Sequence, residues 1–315
     1  MSQDHRSRRH GMDLIDGAVD CHVHACPHIN ARSLDVLQAA RDAIHAGMRG
    51  IGLMDNFAGS SGYAALARRV LDAEGLDPEF DVFGGLIMEP PAGGVSAEAV
   101  AIALRYGYGP GTGARFISLP THHTRNIARQ EGRSPAYLET CLEIPARGAL
   151  PDPLPAILDL VAAADAVLNT GHISAPEAVR LVELARARGV ARILAPASHF
   201  DADAVAELAR LGAYPEFSYF FLTAATQIGL THVDSERHQA QGVTLPGMVA
   251  LIRAAGPKHC VVSSDCGVGV LPPPTEGLRE FLLFLAEAGM ARADLRTMAC
   301  DNPAALFRVG RPAAA

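Results

Sequence analysis

No run of apolar residues in this chain approaches the roughly 18 needed to span a bilayer, so no membrane partner is expected. No CxxC pair occurs among the six cysteines, at positions 21, 26, 141, 260, 266 and 300. In a chain of 315 residues that scatter does not read as a disulfide framework, and a reducing, cytoplasmic location is expected. An excess of basic charge is missing too. With 34 acidic and 27 basic residues the net charge is −7, the wrong sign for a protein that coats nucleic acid. The glycine-rich stretch 107–113 is neither a Walker loop nor a GxGxxG fingerprint and reads as a loop. No composition break or repeat divides the chain. Tryptophan is absent, and lysine occurs once, at Lys258, leaving 26 arginines.

The apolar share, 49%, excludes a mainly disordered chain. Ser7-Arg8-Arg9 hints at a twin-arginine signal, but Asp13 and Asp16 interrupt the next segment and no apolar stretch comes after them. Residues 1–12 therefore read as a disordered N-terminal arm and 13–315 as a single domain. Eight short apolar runs, at 18–24, 49–56, 80–88, 114–120, 166–172, 191–198, 212–219 and 259–265, read as strands. Helix signals lie between them. Ser33 is expected to cap a helix stopping at Gly47, and Ser96 one ending near Gly107. Pro176 suits the first turn of a helix ending at Gly189. Asp201 opens one ending at Gly212, and one from Pro246 stops at Gly256. Residues 277–288 and 302–308 read as closing helices, and 134–164 holds one or two more. Alternating strands and helices imply a mostly parallel sheet. Eight units in about 300 residues fit a closed (β/α)₈ TIM barrel, with an open doubly wound sheet as the alternative.

In such a barrel, chemistry sits where strands end. The eight predicted ends carry Asp20-Cys21-His22-Val23-His24, Asp55-Asn56, Glu89, Thr121-His122-His123, His172, Ser198-His199, Tyr219 and Asp265. Six of the 13 histidines stand there. Strand alternation puts Asp20, His22 and His24 on one face, so two imidazoles can bind one ion with Asp20 orienting a ring. Cys21 and Cys266 are expected to point the other way, into the core. Asp265 follows a buried strand, where a carboxylate is costly unless paired or metal-bound. Taken singly, each histidine reads as a structural or surface residue, and Asp265 as a turn residue. Jointly, HxH, two further histidines and Asp265 form an N/O donor set suited to Zn²⁺ or a similar ion.

This constellation resembles the amidohydrolase superfamily of metal-dependent hydrolases. The terminal Asp301-Asn302-Pro303-Ala304-Ala305-Leu306-Phe307 is similar to that group's closing helix. A poorly characterised amidohydrolase-related branch is a wider match, through His22–His24 with Pro27 and Arg32, Phe83-Gly84-Gly85, Pro120-Thr121 and the Ser263–Gly267 turn. The likeness spans about residues 14–310. It implies one divalent metal ion, Zn²⁺ first with Mn²⁺ or Fe²⁺ as alternatives, held by His22, His24, His172 and Asp265. His199 is then left as a catalytic group. The two-metal members bridge their ions with a carboxylated lysine on strand 4, which Lys258, just before strand 8, cannot supply. A second metal would need His199 and His123, with Glu89 as a conceivable bridge. Mononuclear base deaminases carry a glutamate three residues after the strand-5 histidine. Ala175 stands there, which lowers that reading.

The implied reaction is hydrolysis of an amide, lactone or related cyclic C–N or C–O bond in a small polar substrate. A metal lowers the pKa of its water from 15.7 to about 7, Asp265 takes the proton, and His199 polarises the carbonyl or donates to the oxyanion. Arg32, Asp55, Glu89, Thr121, His122 and His123 are the candidate substrate contacts. A non-oxidative decarboxylase of an aromatic or dienoic acid is the alternative. There His122, His123 or His199 would protonate carbon, and Arg32 or Arg125 would clamp a carboxylate. A ligand-binding barrel without turnover is the third reading. The segment 221–244, with Thr223, Gln227, His232, Asp234, Arg237 and His238, is a candidate lid. Cys26 and His28 are within reach of the pocket. The only expected partners are a small-molecule substrate and a second copy, in a homodimer.

Overall fold

The computed structural model describes residues 10–230 and 239–310. Eight strands form one sheet in sequence order: β1 (Val19–Val23), β2 (Gly50–Leu53), β3 (Asp81–Ile87), β4 (Phe116–Ser118), β5 (Val167–Asn169), β6 (Arg192–Pro196), β7 (Tyr214–Ser218) and β8 (Val261–Ser263). Every neighbouring pair is parallel. The sheet closes where the Asp265 amide donates to the His22 carbonyl (3.0 Å) and the His24 amide to the Cys266 carbonyl (2.8 Å). The result is the expected (β/α)₈ barrel rather than an open sheet. Its strands are shorter than the apolar runs, because the ladder ends before the polar residues turn into the loops.

Alternation along each strand sorts the core into two layers. Val19, Cys21, Phe83, Phe116, Val167, Leu194 and Val261 meet inside the barrel. Ala18, Val23, Ile51, Leu53, Val82, Phe217 and Val262 pack outward against helices. The helix Asn302–Phe307 closes the barrel interior, with Phe307 stacked on Phe83 at 4.8 Å between centroids.

The helices follow their caps. Ser96, Asp201 and Thr244 accept amides three residues on, and open Ala97–Ala103, Ala202–Arg210 and Leu245–Ala255. Pro176 lies in the first turn of Ala175–Ala187. The 134–164 segment holds two helices, Pro135–Leu138 and Leu154–Ala163. Pro274–Glu287 lies outside the sheet as the expected 277–288 helix, extended at its start. Two points need correction. The helix Val36–His45 is capped by Asp35, not Ser33; Asp35 and Gln38 form a reciprocal capping box. The helix Ser61–Ala73 escapes the sequence reading because its buried stripe is Ala64, Ala67 and Leu71, apolar but small. The helix Met12–Ile15 starts on the last residue of the segment read as an arm, whose residues 1–9 lie outside the described residues.

Candidate metal centre

An irregularity in β1 builds the site. Asp20 pairs with Ile51 and Val23 with Leu53, so three steps on β1 match two on β2. One extra residue in the strand is a β-bulge, and it resets the alternation. Cys21 lies inside the barrel with Val19 by ordinary alternation, while Val23, past the bulge, returns to the outer layer with Ala18. This corrects one expectation. Asp20 does not orient a histidine ring: its Oδ1 accepts the Ser264 amide at 3.0 Å and the His22 amide at 3.3 Å. Cys21 packs in the core as expected, and its Sγ lies 3.9 Å from Glu216 Oε1.

Past the bulge, His22 and His24 converge on the turn after β8. Asp265 occupies the left-handed region there, at φ 51. That conformation costs a non-glycine residue free energy and is tolerated where the surroundings over-determine it. Gly267 makes the turn possible: an added Cβ would lie 1.6 Å from the His24 carbonyl oxygen. Asp265 Oδ1 then sits 3.0 Å from His24 Nε2 and 3.3 Å from His22 Nε2. Among the described residues, one donor atom from each of His22, His24 and Asp265 lies within 4.8 Å of the others. Ligands held at 2.0–2.2 Å on a tetrahedral Zn²⁺ stand about 3.4 Å apart, so the trio fits the edges of such a site.

A residue that the sequence reading missed completes the His22 geometry. Glu216, in the middle of β7, is fully buried, and its Oε1 accepts from His22 Nδ1 at 3.1 Å. With Nδ1 turned to Glu216, Nε2 is the ring atom that faces Asp265. A signal was available: Tyr-Pro-Glu-Phe-Ser puts a carboxylate inside a buried strand, which is costly without a partner. Burial alone would lower the His22 pKa, but Asp265 and Glu216 raise it to about 9. Burial raises the Asp265 carboxyl, yet the imidazoles of His22, His24 and His172 hold it below its ordinary value. A divalent cation would serve the same pair of carboxylates.

Beside this trio is a cleft of about 140 Å³. His22, Asp265, His172, His199, Thr121 and His122 line it, with Asn56, Asn126, Phe200 and Phe221. His172 stands outside the trio of close donors but in the same cleft, and burial depresses its pKa to about 4, leaving a neutral ring. His122 meets it edge-on at 6.1 Å. His199 Nε2 lies 2.6 Å from the Gln241 carbonyl, so that nitrogen carries the proton. Burial also keeps this imidazole below its ordinary pKa. Neutral His199 thus offers Nδ1 as an acceptor, whereas the sequence reading gave it a donor's role toward an oxyanion.

Other predicted contacts are committed elsewhere. Glu89 is buried, with Oε1 accepting from the Thr121 amide (2.6 Å), the Thr121 hydroxyl (3.0 Å) and the His122 amide (2.6 Å). Its Oε2 takes the His123 amide at 3.1 Å. It is a brace for the loop after β4, not a bridging ligand. His123 turns away, toward Thr140 Oγ1 at 3.0 Å and the Tyr137 ring. Asp55 ties its own turn through the Phe57 and Ala58 amides and the Tyr63 hydroxyl. Arg32 donates to His28 Nε2 at 2.8 Å, and neither lines the cleft. Arg125 is held by Glu139 and Glu143. Of the candidate lid, Thr223 caps a short turn within the described residues, while His232, Asp234, Arg237 and His238 lie outside them. No described helix is long and apolar enough to cross a membrane.

Among curated proteins no sequence matches the chain. Solved structures share its fold. An organophosphorus hydrolase from Deinococcus radiodurans aligns with TM-score 0.57 and 14% identity over 94% of this chain and 93% of its own. An amidohydrolase from Burkholderia multivorans with bound zinc gives 0.55 and 16%, over 93% and 99%. The metallopeptidase dipeptidase AC gives 0.57 and 14%, over 94% and 99%. The barrel is therefore the one found in amidohydrolases. A family model matches residues 17–216, and the chain belongs to that family, the family of unknown function DUF6282.

Proposed function

We propose that this protein is a metal-dependent hydrolase acting on an amide, lactone or related cyclic bond of a small, uncharged polar substrate. The observation that carries the reading is the convergence of His22 Nε2 and His24 Nε2 on one Asp265 oxygen at the edge of a cleft. His22, His24 and Asp265 would hold one divalent ion, Zn²⁺ by the N/O donor set, with His172 as a fourth donor. Bound there, the ion would acidify a water and polarise a carbonyl. Asp265 takes the proton that the attacking water gives up and returns it to the leaving group. His199 Nδ1 accepts a hydrogen bond from the substrate. Thr121 and His122 position the substrate on a loop that Glu89 holds rigid.

The cleft walls favour hydrolysis over decarboxylation. Among the described residues no arginine or lysine lines the cleft, and both arginines considered as carboxylate clamps are engaged elsewhere. An anionic substrate would find no side-chain cation among the described residues of the walls, only the metal ion as a counter-charge.

Metal content of the purified protein tests the reading. About one Zn²⁺ per chain is expected, lost in His22→Ala and kept in His199→Ala. A protein that takes up no metal after growth with zinc or manganese would sink the mechanism. Neutral lactones and cyclic amides should then turn over without release of CO₂. CO₂ from an aromatic acid would establish the decarboxylase instead.

A further inference from the structure

We infer that Glu216 is a positioning residue for the metal centre, and that its buried charge, not merely its shape, gives the site its affinity for a divalent cation. The inference rests on the metal-site reading above. Glu216 is only 1% exposed. Three groups converge on its Oε1: His22 Nδ1 at 3.1 Å, the Ser263 hydroxyl at 2.7 Å and the Cys21 thiol at 3.9 Å. Its Oε2 is buried with no hydrogen-bond partner. Among the described residues the His22 imidazole is its only ion-pair partner.

A carboxylate in this position is costly to the fold. Burying a charge without a full set of partners destabilises a protein, because the desolvation is not repaid. Ser263 and His22 need only an acceptor oxygen, which a neutral glutamine would supply. What the carboxylate adds is negative charge, placed across the His22 ring from Asp265. An imidazole that donates Nδ1–H to a carboxylate is fixed in one tautomer and presents a more basic Nε2. The bulge in β1 and the register of β7 with β8 bring about this alignment. Glu216 pairs with Val261 and Ser218 with Ser263, so the carboxylate lies one inward position below the strand end, directly behind the ring.

The test is Zn²⁺ affinity, measured by competition with a chromophoric chelator, for the wild type, Glu216→Gln and His22→Ala. Glu216→Gln should bind roughly 10- to 100-fold more weakly. Wild-type affinity in Glu216→Gln, together with loss of binding in His22→Ala, would overturn the role of Glu216 and leave the metal site standing. Wild-type affinity in His22→Ala would instead overturn the site itself. A second readout needs no Glu216 variant and so survives a folding failure. In ¹⁵N spectra of the Zn²⁺-loaded wild type, the ring signals absent from His22→Ala should show a protonated, slowly exchanging Nδ1 and a metal-bound Nε2. Metal on Nδ1 would contradict the inference.

Discussion

Gly267 shows how one residue holds the site together. Its φ of 104 lies in the left-handed region, and its α-carbon faces the His24 carbonyl so closely that a Cβ would sit 1.6 Å from the oxygen. Glycine is required there for both reasons. Gly267→Ala should force the turn after β8 away from β1, where the barrel closes. The strain is about 1–3 kcal/mol from the backbone alone, plus the cost of opening the closing bonds. Urea denaturation should show at least that loss, with metal binding reduced in parallel. A variant as stable as the wild type would mean that the turn is free to relax.

At the level of the element, the loop from β1 to the helix Val36–His45 is fixed by its cap. Asp35 Oδ1 accepts the Gln38 amide at 2.7 Å, and Gln38 Oε1 accepts the Asp35 amide at 2.9 Å. Ser33 is the residue that a sequence pattern would choose, but its hydroxyl is buried without a hydrogen-bond partner. Asp35→Ala should therefore destabilise the protein by about 1 kcal/mol. Ser33→Ala should have no comparable effect. Chemical denaturation of the two variants side by side distinguishes them, and the reverse order would return the cap to Ser33. The same loop carries Arg32 and His28.

For the molecule as a whole, pH acts through histidines buried in neutral form. Burial, and then the neighbouring Arg32, push the His28 pKa down to about 4, against about 6.5 in an unfolded chain. The folded state thus binds fewer protons than the unfolded one between these values. The stability that depends on neutral His28 is complete above about pH 6.5 and is lost as pH falls toward 4. Denaturation midpoints should drop between pH 7 and pH 4.5. His28→Asn should shrink that drop, since asparagine does not titrate. An unchanged drop would assign the acid sensitivity to other groups.

Much of this was legible in the sequence, and the physical reasons differ by residue. Apolar runs with capping and stop signals are local, so eight strands and most helices could be read directly. His22, His24, His172 and Asp265 could be placed near one another because strand ends in a parallel barrel converge on one rim. Three things were decided only by tertiary structure. The bulge in β1 arises from pairing with β2, and it resets the alternation between Cys21, inside the barrel, and Val23, in the outer layer. Whether a polar residue faces the cleft depends on who claims its hydrogen bonds. Asp55 was claimed by amides of its own turn, and Glu89, Arg125 and His123 by amides, carboxylates or a hydroxyl from other segments. Glu216 became part of the site because β7 lies beside β8, where its only charged partner among the described residues is a histidine 194 positions away. The sequence by itself determined which donors exist and that a barrel gathers them. The register of neighbouring strands decided which of them meet.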